Sequence, residues 1–226
     1  MFIRNLNQNP PRLAILMLAG LYSILQTEAT VLNPGATITL RAAHEPEDGH
    51  LLASTNFTFN SATFAGQLTS KVWAHDESNP FGGLTFAYRL TNTGDCTDSL
   101  GWFDLSGFAG ALVDVNYSGS GVAPRVATRS SSGAKITFGF FDRAGDETLL
   151  ASDTSAWLVI QTDRTTWGLS QLVGMDSEQV AVTTFAPSAL VGNPGMRVTV
   201  AAMYESPVCG MNCVAGAGFE PASYGL

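Results

Sequence analysis

Beyond residue 30, apolar and polar positions alternate with a period of two rather than 3.6. Leu84, Phe86, Tyr88 and Leu90 alternate with Thr85, Ala87, Arg89 and Thr91, so an extended strand here has one apolar and one largely polar face. Ile136, Phe138 and Phe140 alternate with Lys135, Thr137 and Gly139 in the same way. Ala111, Val113, Val115 and Tyr117 stand opposite Leu112, Asp114 and Asn116; Met196–Ala202 repeats the pattern, and a similar run from Val180 ends at Phe185. Ala36–Ala43, Leu51–Phe59 and Phe64–Ala74 read as strands from their Thr, Val and Phe content. Ala156–Thr162 is apolar on both faces and reads as a covered central strand, with Trp157 in the core. Turn clusters separate the runs: 45–49, 76–83, 92–99, 118–121 and 144–146. Only Thr165–Val173 reads as a short helix, weakened by Gly168. The expected class is all-β, an antiparallel β-sandwich of roughly ten strands in two sheets, jelly-roll or immunoglobulin-like.

The first 29 residues follow another pattern. Arg4 and Arg12 carry positive charge, Leu13–Leu25 is an unbroken and mostly apolar run, and small and polar residues follow through Ala29. That order is a secretory signal, and the run is shorter than the roughly 20 residues that span a bilayer. The expected organisation is a signal peptide at 1–29, a β-sandwich at 30–205 and a disordered or aberrant tail at 206–226. Export to the outside or the cell surface follows, with no membrane span in the mature chain.

Composition sharpens this picture. The chain has 19 acidic residues against 11 Lys and Arg, a formal charge of −8. Only two residues are lysine, Lys71 and Lys135. Phosphate binding needs clustered Lys and Arg, so nucleic acid is not an expected partner. Cys96, Cys209 and Cys213 allow one intramolecular bridge. Cys209 with Cys213 is the close pair, while Cys96 with either would pin the tail to the domain.

Candidate chemistry is sparse. His44, Glu47, Asp48 and His50 bring two imidazoles and two carboxylates into one segment and could hold a divalent metal. The histidines are six apart around Pro46, which is not the helical zinc spacing, and a solvated hairpin loop needs the same residues. Asn92, Asp95 and Asp98 offer hard oxygen ligands suited to calcium, but turn chemistry alone explains these residue types, and no cofactor is expected. No Gly-x-Ser-x-Gly elbow is present. Trp73 and Trp102, near loops, are candidate stacking platforms for a sugar ring.

The phrases Asn79–Tyr88 (NPFGGLTFAY), Arg89–Phe103 (RLTNTGDCTDSLGWF) and Ser106–Tyr117 (SGFAGALVDVNY) give the chain a resemblance, over about Val31–Pro187. It resembles exported β-rich proteins of the bacterial PEP-CTERM sorting class. The resemblance implies export and association with the cell surface or an extracellular matrix, and no reaction. The tail departs from that pattern. Phe219-Glu220-Pro221 has one proline of the expected two, and no apolar helix or Arg cluster stands in the sequence after it. Gly216-Ala217-Gly218-Phe219-Glu220-Pro221 also looks like a transfer-RNA gene's T-arm read as protein.

The first functional expectation is a non-enzymatic exported protein with a structural or adhesive role in the extracellular matrix. Its partners would be extracellular polysaccharide or surface components. The second is an extracellular carbohydrate-binding module using Trp73 or Trp102. The third is a secreted hydrolase built on a carboxylate pair or a metal near His44 and His50.

Overall fold

A computed structural model describes residues 31–43, 49–60, 65–93, 98–170, 173–175, 178–180, 182 and 184–188. In chain order the strands are β1 (Thr37–Thr39), β2 (His50–Asn60), β3 (Ala65–Ala74), β4 (Thr85–Asn92), β5 (Trp102–Ser106) and β6 (Val113–Ser118). There follow β7 (Val126–Arg129), β8 (Lys135–Gly139), β9 (Trp157–Thr162), β10 (Trp167–Ser170), β11 (Val173–Met175), β12 (Glu178–Val180) and β13 (Thr184–Pro187). Among the described residues there is no helix, and so none long and apolar enough to cross a membrane.

The expected all-β sandwich is what forms. One sheet has five strands in the order β2-β3-β4-β9-β6, the other six in the order β1-β7-β8-β5-β11-β12. A two-stranded ribbon, β10-β13, completes the fold, and all strand pairs are antiparallel. From β4 the chain passes to β5 in the other sheet, back to β6, over to β7 and β8, and back to β9. Each crossing turns an alternating apolar face toward the same interior.

That interior is filled from both sheets. Val72, Phe86, Tyr88, Leu158 and Ile160 come from the five-stranded sheet, and Phe103, Leu105, Ile136 and Phe138 from the six-stranded one. Phe86 meets Phe108 edge to face with centroids 6.0 Å apart. The ribbon is sewn to the inner face of the five-stranded sheet. Tyr88 Oη donates to the Phe185 carbonyl at 2.6 Å, and the Phe185 amide donates to Ser70 Oγ at 3.4 Å.

Three expectations change. In place of the short helix read at Thr165–Val173, Trp167–Ser170 form β10 and Val173 begins β11. β10 pairs with β13 and β11 with β5, and this tertiary pairing outweighs any weak local helix preference. The single run expected from Val180 to Phe185 is divided between β12 and β13. Strand β9 is central, but Trp157 is half-buried on the outer face, because Leu158 and Ile160 take the inward positions. The run expected at Met196–Ala202 lies outside the described residues.

Candidate functional site

The two tryptophans singled out as platforms sit on opposite sides of the sandwich. Trp102 alternates with buried Phe103 and faces out from the six-stranded sheet; Trp73 alternates with buried Val72 and faces out from the five-stranded sheet. They form two separate surfaces rather than one platform.

Trp102 is 41% exposed, and its ring packs against Phe141 with centroids 4.6 Å apart and planes tilted by 57°. In the register, Trp102 stands opposite Gly139, Gly139 opposite Val126 and Val126 opposite Thr39. A Cβ on Gly139 would lie 2.9 Å from the indole and 2.8 Å from Val126 Cγ2, so the missing side chain is what lets the ring lie over the strand. The next outward row is Asp104, Thr137, Thr128 and Thr37. It is internally bonded: Thr37 and Thr128 hydroxyls share a hydrogen bond of 2.8 Å, and Asp104 accepts from Lys135 Nζ at 2.7 Å and from Thr137 Oγ1.

On the other side, Trp73 and Trp157 flank a lysine. Lys71 Nζ lies 4.5 Å from the centroid of the Trp157 ring and 5.5 Å from that of Trp73. The Arg89 guanidinium carbon lies 5.6 Å from the Trp157 centroid. Both approaches fall within the range of cation–π attraction. The sheet register sets this geometry. Lys71 pairs with Ala87, whose small side chain leaves room above it, and Arg89 pairs with Thr69. Arg89 is also fixed by its own bonds, from Nε to the Ser155 carbonyl at 3.1 Å and from Nη2 to the Ser120 carbonyl at 3.1 Å. Leu51, 47% exposed, stands opposite Trp73 across a β-bulge and widens the apolar margin.

Other charged side chains serve structure. Buried Asp76 holds the 76–83 turn against the five-stranded sheet. Its Oδ1 accepts from the Ser78 amide at 3.0 Å and the Ser78 hydroxyl at 2.6 Å. Its Oδ2 accepts from Thr85 Oγ1 at 2.6 Å and Gln161 Nε2 at 3.3 Å. Arg129 points inward and is 2% exposed. It donates from Nε to the Gly133 carbonyl, from Nη1 to that of Leu32, and from Nη2 to those of Phe108 and Ala111, at 2.8–3.0 Å. Burial pulls its pKa down, opposed by the field of Asp163. Asp142 caps its own turn, accepting from the amides of Ala144, Gly145 and Asp146. The Asp146 amide above all holds that carboxyl below its ordinary value, with further help from Ala144, Gly145 and Arg125.

The metal candidates fall as follows. His44, Glu47 and Asp48 lie outside the described residues, as do Asp95 and all three cysteines, Cys96, Cys209 and Cys213. His50 is the exposed first residue of β2, opposite Ala74. Asn92 is buried at the end of β4 and donates from Nδ2 to the Asp98 carbonyl at 2.9 Å. Asp98 is exposed, and its Oδ1 accepts from the Ser99 amide at 3.1 Å. Asn92 and Asp98 are therefore neighbours through backbone, not through a shared pair of side-chain oxygens. Among the described residues, no three His, Cys, Asp or Glu side chains gather as a metal site.

Sequence reasoning missed Lys71, Arg89 and Trp157 as a group. The signal was present: one of only two lysines lies two residues before a tryptophan, on a strand next to the one that carries Arg89. The chain matches no protein-family model, no curated protein and no solved structure.

Proposed function

We propose that this chain is an exported, non-enzymatic β-sandwich that adheres to extracellular surface components, in the manner of the PEP-CTERM sorting class it resembles. The observation that supports the reading is the use made of its side chains. Asp76, Asp104, Arg129 and Asp142 are bound into turns and sheet contacts, while indoles are presented on both outer faces by rigid strands. A scaffold of this kind offers surface for adhesion rather than a converging acid, base and nucleophile.

Localisation tests it. The full chain is expressed in a Gram-negative host, and intact cells are treated with protease. The expected result is a polypeptide that starts near Thr30, digested without lysis and found in the matrix fraction. Cytosolic protein that retains Met1 overturns the reading.

Carbohydrate binding is the second reading. Trp102, laid over Gly139 beside a row of threonines, supports it, because a sugar needs an apolar ring face flanked by hydroxyl partners.

A further inference from the structure

The outer face of the five-stranded sheet is chemically uneven. Toward one end it carries acids, Asp114 on β6 and Asp76 in the adjoining turn. Toward the other, the outward positions of β2, β3 and β4 are Ser54, Asn56, Thr58, Gln67, Thr69 and Thr91. These are hydroxyls and amides, with no carboxylate among them, in a chain where acids outnumber bases 19 to 11. Lys71 and Arg89 stand at the border of that patch, both drawn to the same indole of Trp157.

Two cations over one ring repel each other unless an anion joins them. Among the described residues the ion pairs are Lys135 with Asp104 and Arg164 with Asp163, and neither Lys71 nor Arg89 takes part. The register puts no acid across from them: Lys71 faces Ser54 and Ala87, and Arg89 faces Thr69. The nearby Asp76 already accepts four hydrogen bonds from neutral donors. Among the described residues the patch thus has positive charge with no acidic partner, ring faces at Trp73 and Trp157, and neutral hydrogen-bonding groups around them.

We propose that this patch binds an anionic polysaccharide. Lys71 and Arg89 receive the carboxylate or sulfate of one sugar residue, and Trp73 packs against the ring of the next. Ser54, Asn56 and Thr69 meet its hydroxyls. This deepens the carbohydrate reading above and rests on it, but it places the ligand on the sheet opposite Trp102 and fixes the sign of its charge.

Calorimetric titration of the full chain with hexagalacturonate, a sulfated galactan oligomer and a neutral galactan oligomer of equal length tests it. The expected result is binding of an anionic oligomer that weakens as salt rises, and no comparable binding of the neutral one. The two anionic arms tell carboxylate from sulfate. Lys71→Met is expected to weaken binding about tenfold or more, with Lys71→Arg retaining it, as for a charge-assisted contact. Thr69→Glu, on an outward position beside Arg89, puts a carboxylate where the ligand's would sit; it abolishes binding without changing the melting temperature, and stands in if Lys71→Met does not fold. The proposal is overturned if neither anionic oligomer binds, if the neutral one binds equally, or if folded Lys71→Met and Thr69→Glu bind as well as wild type. Neutral binding lost with Trp102→Ala would keep the carbohydrate reading and remove this one.

Discussion

Arg129 is the residue on which the interior most depends. A guanidinium placed between two sheets is costly to desolvate, and here four backbone carbonyls from three chain segments compensate it. A lysine has three donors on one nitrogen and cannot reach the four carbonyls in that fork. Arg129→Lys and Arg129→Met are each expected to lower the free energy of unfolding by about 3–5 kcal/mol, because they leave buried carbonyls unpaired. Urea unfolding followed by tryptophan fluorescence measures the loss. The sequence hides this role: in Val126–Arg129 the inward positions are Ala127 and Arg129, so a reader expecting apolar inward residues finds no strand there. Trp73 and Trp102 were legible as aromatic residues near loops, but which sheet each belongs to was not, since face is set by pairing far away in sequence.

At the scale of elements, strands with strict alternation were the readable ones. β4, β6 and β8 carry bulky apolar side chains at their inward positions, Asn92 at the end of β4 excepted, and they form where the pattern puts them. β5 was obscured because Trp102, its largest side chain, points out. The β10-β13 ribbon was unreadable for another reason: its strands are four residues each and gain their order from contacts with β3 and β4. Tyr88 is the principal tie. Tyr88→Phe removes the bond to the Phe185 carbonyl and is expected to cost about 1–2 kcal/mol. Amide hydrogen exchange should then quicken selectively in Thr184–Ala186, while the β8 amides keep their protection. Equal loss of protection in both would refute the tie as a local one.

For the whole molecule, two titrations bound the working range of pH. Burial pushes the Tyr88 phenol well above its ordinary 10.0. The native state holds that proton more tightly than the unfolded chain, so its contribution is complete below pH 10.0 and is lost as pH rises toward the native value. Asp142 works in the opposite direction. Its carboxyl is held below 3.8 in the native turn, so its contribution is complete above that value and disappears as pH falls through the depressed one. Melting temperature against pH is expected to fall at both ends, with Tyr88→Phe flattening the alkaline limb and Asp142→Asn the acid limb. An alkaline limb unchanged by Tyr88→Phe would assign that loss to other groups.

The first described segment, residues 31–43, has a consequence for how the molecule is made. Leu32 gives its carbonyl to Arg129 and its amide to the Val113 carbonyl, Thr37–Thr39 pair with Val126–Thr128, and the Ala43 amide bonds to the Tyr117 carbonyl. These partners arrive late in synthesis, and joining them closes a long loop, which is slow. Residues 31–43 are therefore made well before the strands that secure them. While they wait, Thr37–Thr39 have no strand to join, and the sandwich locks only after its own middle has followed.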